Sequence, residues 1–95
     1  MSGIGLTPWG SQTALNITAA TVVKTGRGVI IRAQVITAGS TTGAIYDTTT
    51  TTGGTIANQV AVVLGSEGTY YIGMPCTNGI MVVPGTGQTL AVSYQ

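Results

Sequence analysis

Five side chains of this 95-residue sequence ionise at neutral pH: Lys24, Arg27, Arg32, Asp47 and Glu67. There is no histidine and a single cysteine, Cys76. Two carboxylates can work as acid and base in glycoside hydrolysis when folding sets them about 5–10 Å apart. Asp47 follows an apolar strand pattern and Glu67 sits in the Gly65-Ser66-Glu67-Gly68 turn, ordinary places for solvated polar residues. Without histidine, a Ser-His-Asp or Cys-His arrangement is excluded. One thiol and two carboxylates do not make a closed structural metal site. No catalytic residues, metal or cofactor are expected, and the chain does not read as an enzyme. Cys76 reads as a small buried hydrophobe. Its place between Pro75 and Asn78-Gly79 leaves a partly exposed, reactive thiol as the alternative. Gly26-Arg27-Gly28 and Gly85-Thr86-Gly87 look like pieces of phosphate-cradling loops. Neither leads into a helix whose N-terminus could hold the anion.

The remaining chemistry is that of contact surfaces. Lys24, Arg27 and Arg32 fall within nine residues. They read as a solvated strand-turn edge, where cations discourage stray strand addition, or as a positive spot facing an acidic neighbour. Three cations are too few for nucleic acid. Of the tyrosines, Tyr70 and Tyr94 fall on the inward phase of their strands, which leaves Tyr71 on the contact phase. Tyr71 and the threonine-rich stretch could together stack and bind a glycan. Trp9, the only tryptophan, lies in an arm broken by Gly3, Gly5, Pro8 and Gly10. It either packs on its own domain or inserts into a neighbouring subunit. The candidate interface set is Trp9, Lys24, Arg27, Arg32 and Tyr71.

These residues must be positioned by β-structure. Thr, Val and Ile dominate with Gly and Ala, and residues stiff at χ1 suit pleated surfaces. Fifteen scattered glycines mark frequent turns. The length suits one domain: an irregular arm over residues 1–12 and a β-domain over 13–95. Strands are expected over 14–17, 20–24, 29–37, 44–48, 59–64, 70–74, 80–83 and 89–94. Inward faces read Ile31, Ala33, Val35; Val60, Val62, Leu64; Tyr70, Ile72, Met74; and Leu90, Val92, Tyr94. Pro75 ends its strand. Asn78-Gly79 signals a primed two-residue turn. Thr49 to Gly54 is a threonine run that forms a loop or a strand end. About eight strands with no helix predict a single small β-sandwich or jelly roll, with a closed barrel as the alternative.

Charged residues make up 5% of the chain, and the net charge is +1. A typical domain devotes about a quarter of its residues to charge, and a near-neutral surface promotes association. Val29 to Ile31, Val60 to Leu64 and Ile80 to Val83 are apolar on both faces, which calls for a second covering layer, either a partner subunit or a larger scaffold. A component of an assembly is therefore expected. Met1-Ser2-Gly3 does not begin a signal peptide. No apolar run approaches the roughly 20 residues of a membrane helix, so no membrane partner is expected. Asn16-Ile17-Thr18 fits the glycosylation acceptor pattern but lacks the secretory context it needs.

Three segments carry a resemblance: Ala14-Leu15-Asn16-Ile17-Thr18, Gly43-Ala44-Ile45-Tyr46-Asp47, and Asn78-Gly79-Ile80-Met81-Val82-Val83-Pro84-Gly85-Thr86-Gly87-Gln88. The last is the most distinctive. Over about four-fifths of its length the chain resembles small β-rich virion proteins of tailed bacteriophages. The position of Cys76 departs from that pattern, which leads us to expect a larger apolar residue. The resemblance implies a structural role with no active site to carry over. With the low charge, it leads to the expectation of a capsid decoration or cement protein that clamps neighbouring major capsid subunits. Such a protein would be a homo-oligomer, trimer or dimer, made in the host cytoplasm and placed on the capsid surface of the virion. The alternative is a neck, tail or head-fibre module contributing to glycan attachment at the host surface.

Overall fold

The computed structural model describes residues 11–95. Eight strands follow in order: β1 Gln12–Ile17, β2 Thr21–Thr25, β3 Gly28–Thr37, β4 Gly43–Tyr46, β5 Gln59–Val63, β6 Gly68–Cys76, β7 Gly79–Val83 and β8 Thr89–Tyr94. A 3-10 turn, Ile56–Asn58, precedes β5. β1 begins at Gln12, one residue inside the expected arm.

The strands form two four-stranded sheets, ordered β1-β8-β3-β6 and β2-β7-β4-β5. Strands β1 to β4 pair antiparallel with β8, β7, β6 and β5 respectively. The chain is thus one long antiparallel ribbon, folded at the β4–β5 loop and rolled so that β3 also meets β8 and β4 meets β7. That winding is a jelly roll. Neither sheet closes on itself, which removes the barrel alternative.

Each sheet turns one face inward. Ile17, Ile30, Ala33, Val35, Ile45, Val63, Cys76, Ile80, Val82, Leu90, Val92 and Tyr94 form one buried cluster between the sheets. Burial of each large aliphatic side chain contributes about 1.5–3 kcal/mol. β8 alternates as its sequence predicts, with Leu90, Val92 and Tyr94 buried and the residues between them half-exposed.

Three expected phases are corrected. In β3 the inward residue is Ile30, not Ile31. The register steps from Ile30↔Tyr94 to Arg32↔Ser93, so Ile31 is an extra residue in a bulge that shifts the phase. In β5, Val63 is buried while Val62 and Leu64 are over half exposed, and Ala61 packs against the core. The irregularity between Ile45/Tyr46 gives β5 an extra residue, Val60, which also packs inward. Met74 pairs with buried Ile30 yet is exposed, because β6 is the edge of its sheet.

Two punctuation signals also acted differently. Pro75 does not end β6 but pairs with Val29 inside it. An edge strand tolerates a missing N–H on its free side. Asn78-Gly79 is not a primed hairpin turn: neither residue has positive φ, and Gly79 is the first residue of β7. β6 and β7 lie in different sheets, so the segment is a crossover and not a hairpin. Gly79 is needed for closeness, since a Cβ there would lie 2.7 Å from the Thr48 carbonyl oxygen.

Over β7 the covering layer is the chain's own loop, in place of the expected partner subunit or larger scaffold. Met81 points away from the inter-sheet cluster but is 1% exposed. Gly54, at the end of the threonine run, lies against the Met81 Cε and the Tyr46 ring. The β4–β5 loop therefore folds over the outer face of the β2-β7-β4-β5 sheet.

Candidate interaction surfaces and the clamps that hold them

The ends of the sandwich are fixed by two polar side chains. At one end Asp47 accepts three backbone N–H groups: Asn78 at 2.7 Å and Gly79 at 3.2 Å on Oδ1, and Thr77 at 2.9 Å on Oδ2. Its own N–H donates to the Asn58 carbonyl, and Gly26 N–H donates to the Asn78 carbonyl. The carboxylate thereby ties the β2–β3, β4–β5 and β6–β7 connections together. Partial burial pushes its pKa up, but the three N–H donors together outweigh this and hold it below the usual aspartate value.

At the other end Gln88 is 1% exposed. Its Nε2 donates to the Leu64 carbonyl at 2.9 Å and its Oε1 accepts from Gly85 N–H at 2.9 Å. Around it Gly39 N–H donates to Gly65 and Ser40 N–H to the Thr86 carbonyl. Thr86 N–H donates to Thr41 Oγ1 at 2.8 Å. Gly85 is obligatory here, since a methyl group would collide with the Thr41 carbonyl. Sequence reasoning missed Gln88 because nothing in a lone glutamine after a Gly-Thr-Gly turn announces burial.

Asp47 and Glu67 are not brought together. Asp47 binds the connection after β6, and Glu67 immediately precedes β6. Nine extended residues separate the two sites by roughly 25 Å, far beyond the spacing an acid–base pair needs. Cys76 is buried in the core cluster. Burial and the nearby Asp47 charge push its thiol pKa up to about 11, so the exposed-thiol alternative is removed. Among the described residues no group of three His, Cys, Asp or Glu could hold a metal. No helix of the described residues is long and apolar enough to cross a membrane.

The candidate interface set divides. Trp9 lies outside the described residues. Lys24 is in β2 and Arg27 in the β2–β3 turn at the Asp47 end. Arg32 lies on the other sheet, five residues or about 15 Å along β3 from Arg27. The three cations therefore do not make one positive spot. Arg32 instead stands opposite Tyr71, with its guanidinium carbon 5.9 Å from the ring centroid. This is cation–π distance. Tyr71 is 76% exposed, as its phase predicts. It does not share a surface with the threonine run, which covers the opposite sheet.

One outer face and the β5 margin of the other remain open. On the β2-β7-β4-β5 sheet, Val62, Ala44 and Val83 stand in register across β5, β4 and β7. Leu64 follows beside Val62, and both are more than half exposed at an edge strand that carries no charge and no proline. On the β1-β8-β3-β6 sheet, Thr13, Ser93, Arg32 and Tyr71 form a polar row across all four strands. Beside it runs a groove of about 200 Å³. No protein-family model matches this chain, and no curated protein or solved structure matches it either.

Proposed function

We propose that this chain is a non-enzymatic structural protein of a bacteriophage virion, which decorates or cements the capsid by clamping neighbouring major capsid subunits. The observation that carries the reading is the pair Val62 and Leu64, both more than half exposed at an uncharged sheet edge. Native proteins protect such edges with charge, proline or a covering element, and an exposed apolar strip marks an interaction site. The resemblance of its turn segments to small phage virion proteins supplies the capsid. The jelly roll, which also builds capsid and lectin domains, supports it by fold analogy alone. A homo-oligomer, trimer or dimer, would match the local symmetry axes of a shell. Apolar burial at roughly 25 cal/mol per Å², repeated over many copies, would make weak single contacts add up.

The test uses particles that lack the protein. They should assemble but release their genome at a lower temperature than complete particles. Added wild-type protein should restore the difference, and a Val62→Ser, Leu64→Ser variant should not. Equal heat stability with and without the protein would count against cementing. Density confined to the neck or tail in a map of the particle would move the assignment to a connector or fibre module.

A further inference from the structure

The groove on the outer face of the β1-β8-β3-β6 sheet runs along β8 as a trough. Its floor is made by Ala91 and Ser93, the small outward residues of a central strand. Their smallness leaves a channel between taller residues on the two neighbours. β1 supplies one wall with Thr13 and Leu15, and β3 supplies the other with Arg32, Gln34 and Ile36. Leu15 and Ile36 stand high because each sits at an irregularity. The registers slip between Ala14 and Ile17 in β1, where Asn16 takes φ 56, and between Val35 and Thr37 in β3. Leu15 is 73% and Ile36 51% exposed.

The trough has a chemical polarity. Thr13, Ser93 and Arg32 stand in one row at its first end. Leu15 and Ile36 lie at the second end, two residues further along β1 and four along β3, about 7–13 Å away. The floor strand is paired on both sides, so its backbone is spent on the ladder and recognition falls to side chains. Arg32 is the only charged group in the trough. The Tyr71 ring holds its guanidinium from the β6 side, and a guanidinium so held presents a fork of N–H donors matched to a carboxylate. Aliphatic walls favour an aliphatic side chain over a sugar ring.

We infer that this trough docks an extended, acidic peptide segment of a partner protein, with its carboxylate on Arg32 and an aliphatic side chain two residues away between Leu15 and Ile36. The spacing follows from the period of two in extended chain, which repeats at about 6.6 Å. The inference rests on the assembly reading for the existence of a protein partner, but it concerns the sheet opposite the Val62 strip.

The test is an amide and Arg side-chain NMR titration of the full chain. The probes are acetyl-Leu-Ser-Glu-amide, its Gln counterpart, and galacturonate. The Glu peptide should shift the Arg32 Nε–H and the Ala91 and Ser93 amides saturably. The Gln peptide, or the Arg32→Gln variant with the Glu peptide, should bind about tenfold more weakly or worse. Absence of a saturable shift by about 10 mM, or equal binding of the Glu and Gln peptides, would overturn the inference. Tighter binding of galacturonate would overturn it in favour of an acidic sugar. Shifts that grow with protein concentration alone and vanish in Glu67→Gln would overturn it in favour of a second copy of this chain. A negative titration leaves the capsid heat test undecided by it, and a negative heat test leaves the trough open to another protein assembly, so the two failures are distinct.

Discussion

Asp47 holds Asn78 across 31 residues of chain, its Oδ1 accepting the Asn78 N–H at 2.7 Å. With Thr77 and Gly79 it completes a three-donor cradle in which the side chain replaces a hairpin turn. Asparagine at position 47 would keep one acceptor oxygen but turn an amide N–H₂ towards a backbone donor. Asp47→Asn should therefore lower stability by about 1–3 kcal/mol, read as a lower denaturant midpoint with an unchanged slope. An unchanged midpoint would show that the crossover holds itself.

The same carboxylate sets a pH dependence. Its folded pKa lies below the usual value of 3.8, so the folded state favours the charged form. The stability it contributes is fully present above the unfolded pKa of about 3.9 and is lost as pH falls through the lower folded value. Denaturant midpoints should be flat from neutral pH down to about pH 5 and fall below about pH 4. That fall should be smaller in Asp47→Asn.

Gln88 has the opposite constraint, being neutral and fully enclosed. Gln88→Leu matches its size but strands the Leu64 carbonyl and the Gly85 N–H, each of which has Gln88 as its partner. A buried polar group without a partner costs about 1–3 kcal/mol, so the variant should lose about 2–5 kcal/mol in all. The loss should appear in thermal unfolding, and hydrogen exchange should quicken first at Gly39 and Ser40, whose N–H groups depend on the same loops. If exchange quickens evenly over the whole molecule, the loops open only with global unfolding.

How far the sequence made these features legible follows from strand geometry. β8 could be read residue by residue because it is central and carries no extra residue of its own. The phase of β3 slipped at Ile31 because Val29, Ile30 and Ile31 are all aliphatic, so nothing in the composition marks which of them the bulge sets aside. After Gln59, β5 reads Val-Ala-Val-Val, with no polar residue to show which face meets water. The contact phase of Tyr71 was readable, but its place opposite Arg32 was not. That depends on the register between two strands 39 positions apart. The two clamps were hidden for the same reason: Asp47 and Gln88 each act on connections distant in sequence.

Cys76 offers a probe of those motions. Its thiol is enclosed in the core, with a pKa raised to about 11. Only the thiolate reacts, and only when exposed. At pH 8 a disulfide reagent should label native protein slowly, at a rate set by opening of the fold, and label protein in denaturant at once. Destabilising variants such as Gln88→Leu should speed native labelling in proportion to their lost stability. Rapid labelling of wild-type protein would mean that the β6–β7 crossover opens independently of the rest.

The threonine-rich loop supplies the last prediction. Gly54 meets Met81 Cε and the Tyr46 ring where a side chain would need 3.1 Å approaches. A valine there should lift the loop off the sheet and expose Met81, which at present is shielded from solvent. Gly54→Val should raise the rate of Met81 oxidation by peroxide and increase binding of an apolar dye. The core between the sheets, which Gly54 does not touch, should keep its near-ultraviolet signature from Tyr94. The newly bared Met81 extends the apolar face that already carries Val62, Ala44 and Val83, so the variant should also self-associate at lower concentration than wild type. Unchanged oxidation would mean that the loop covers Met81 without Gly54, and that another residue of the Thr48–Gly53 stretch seals the face.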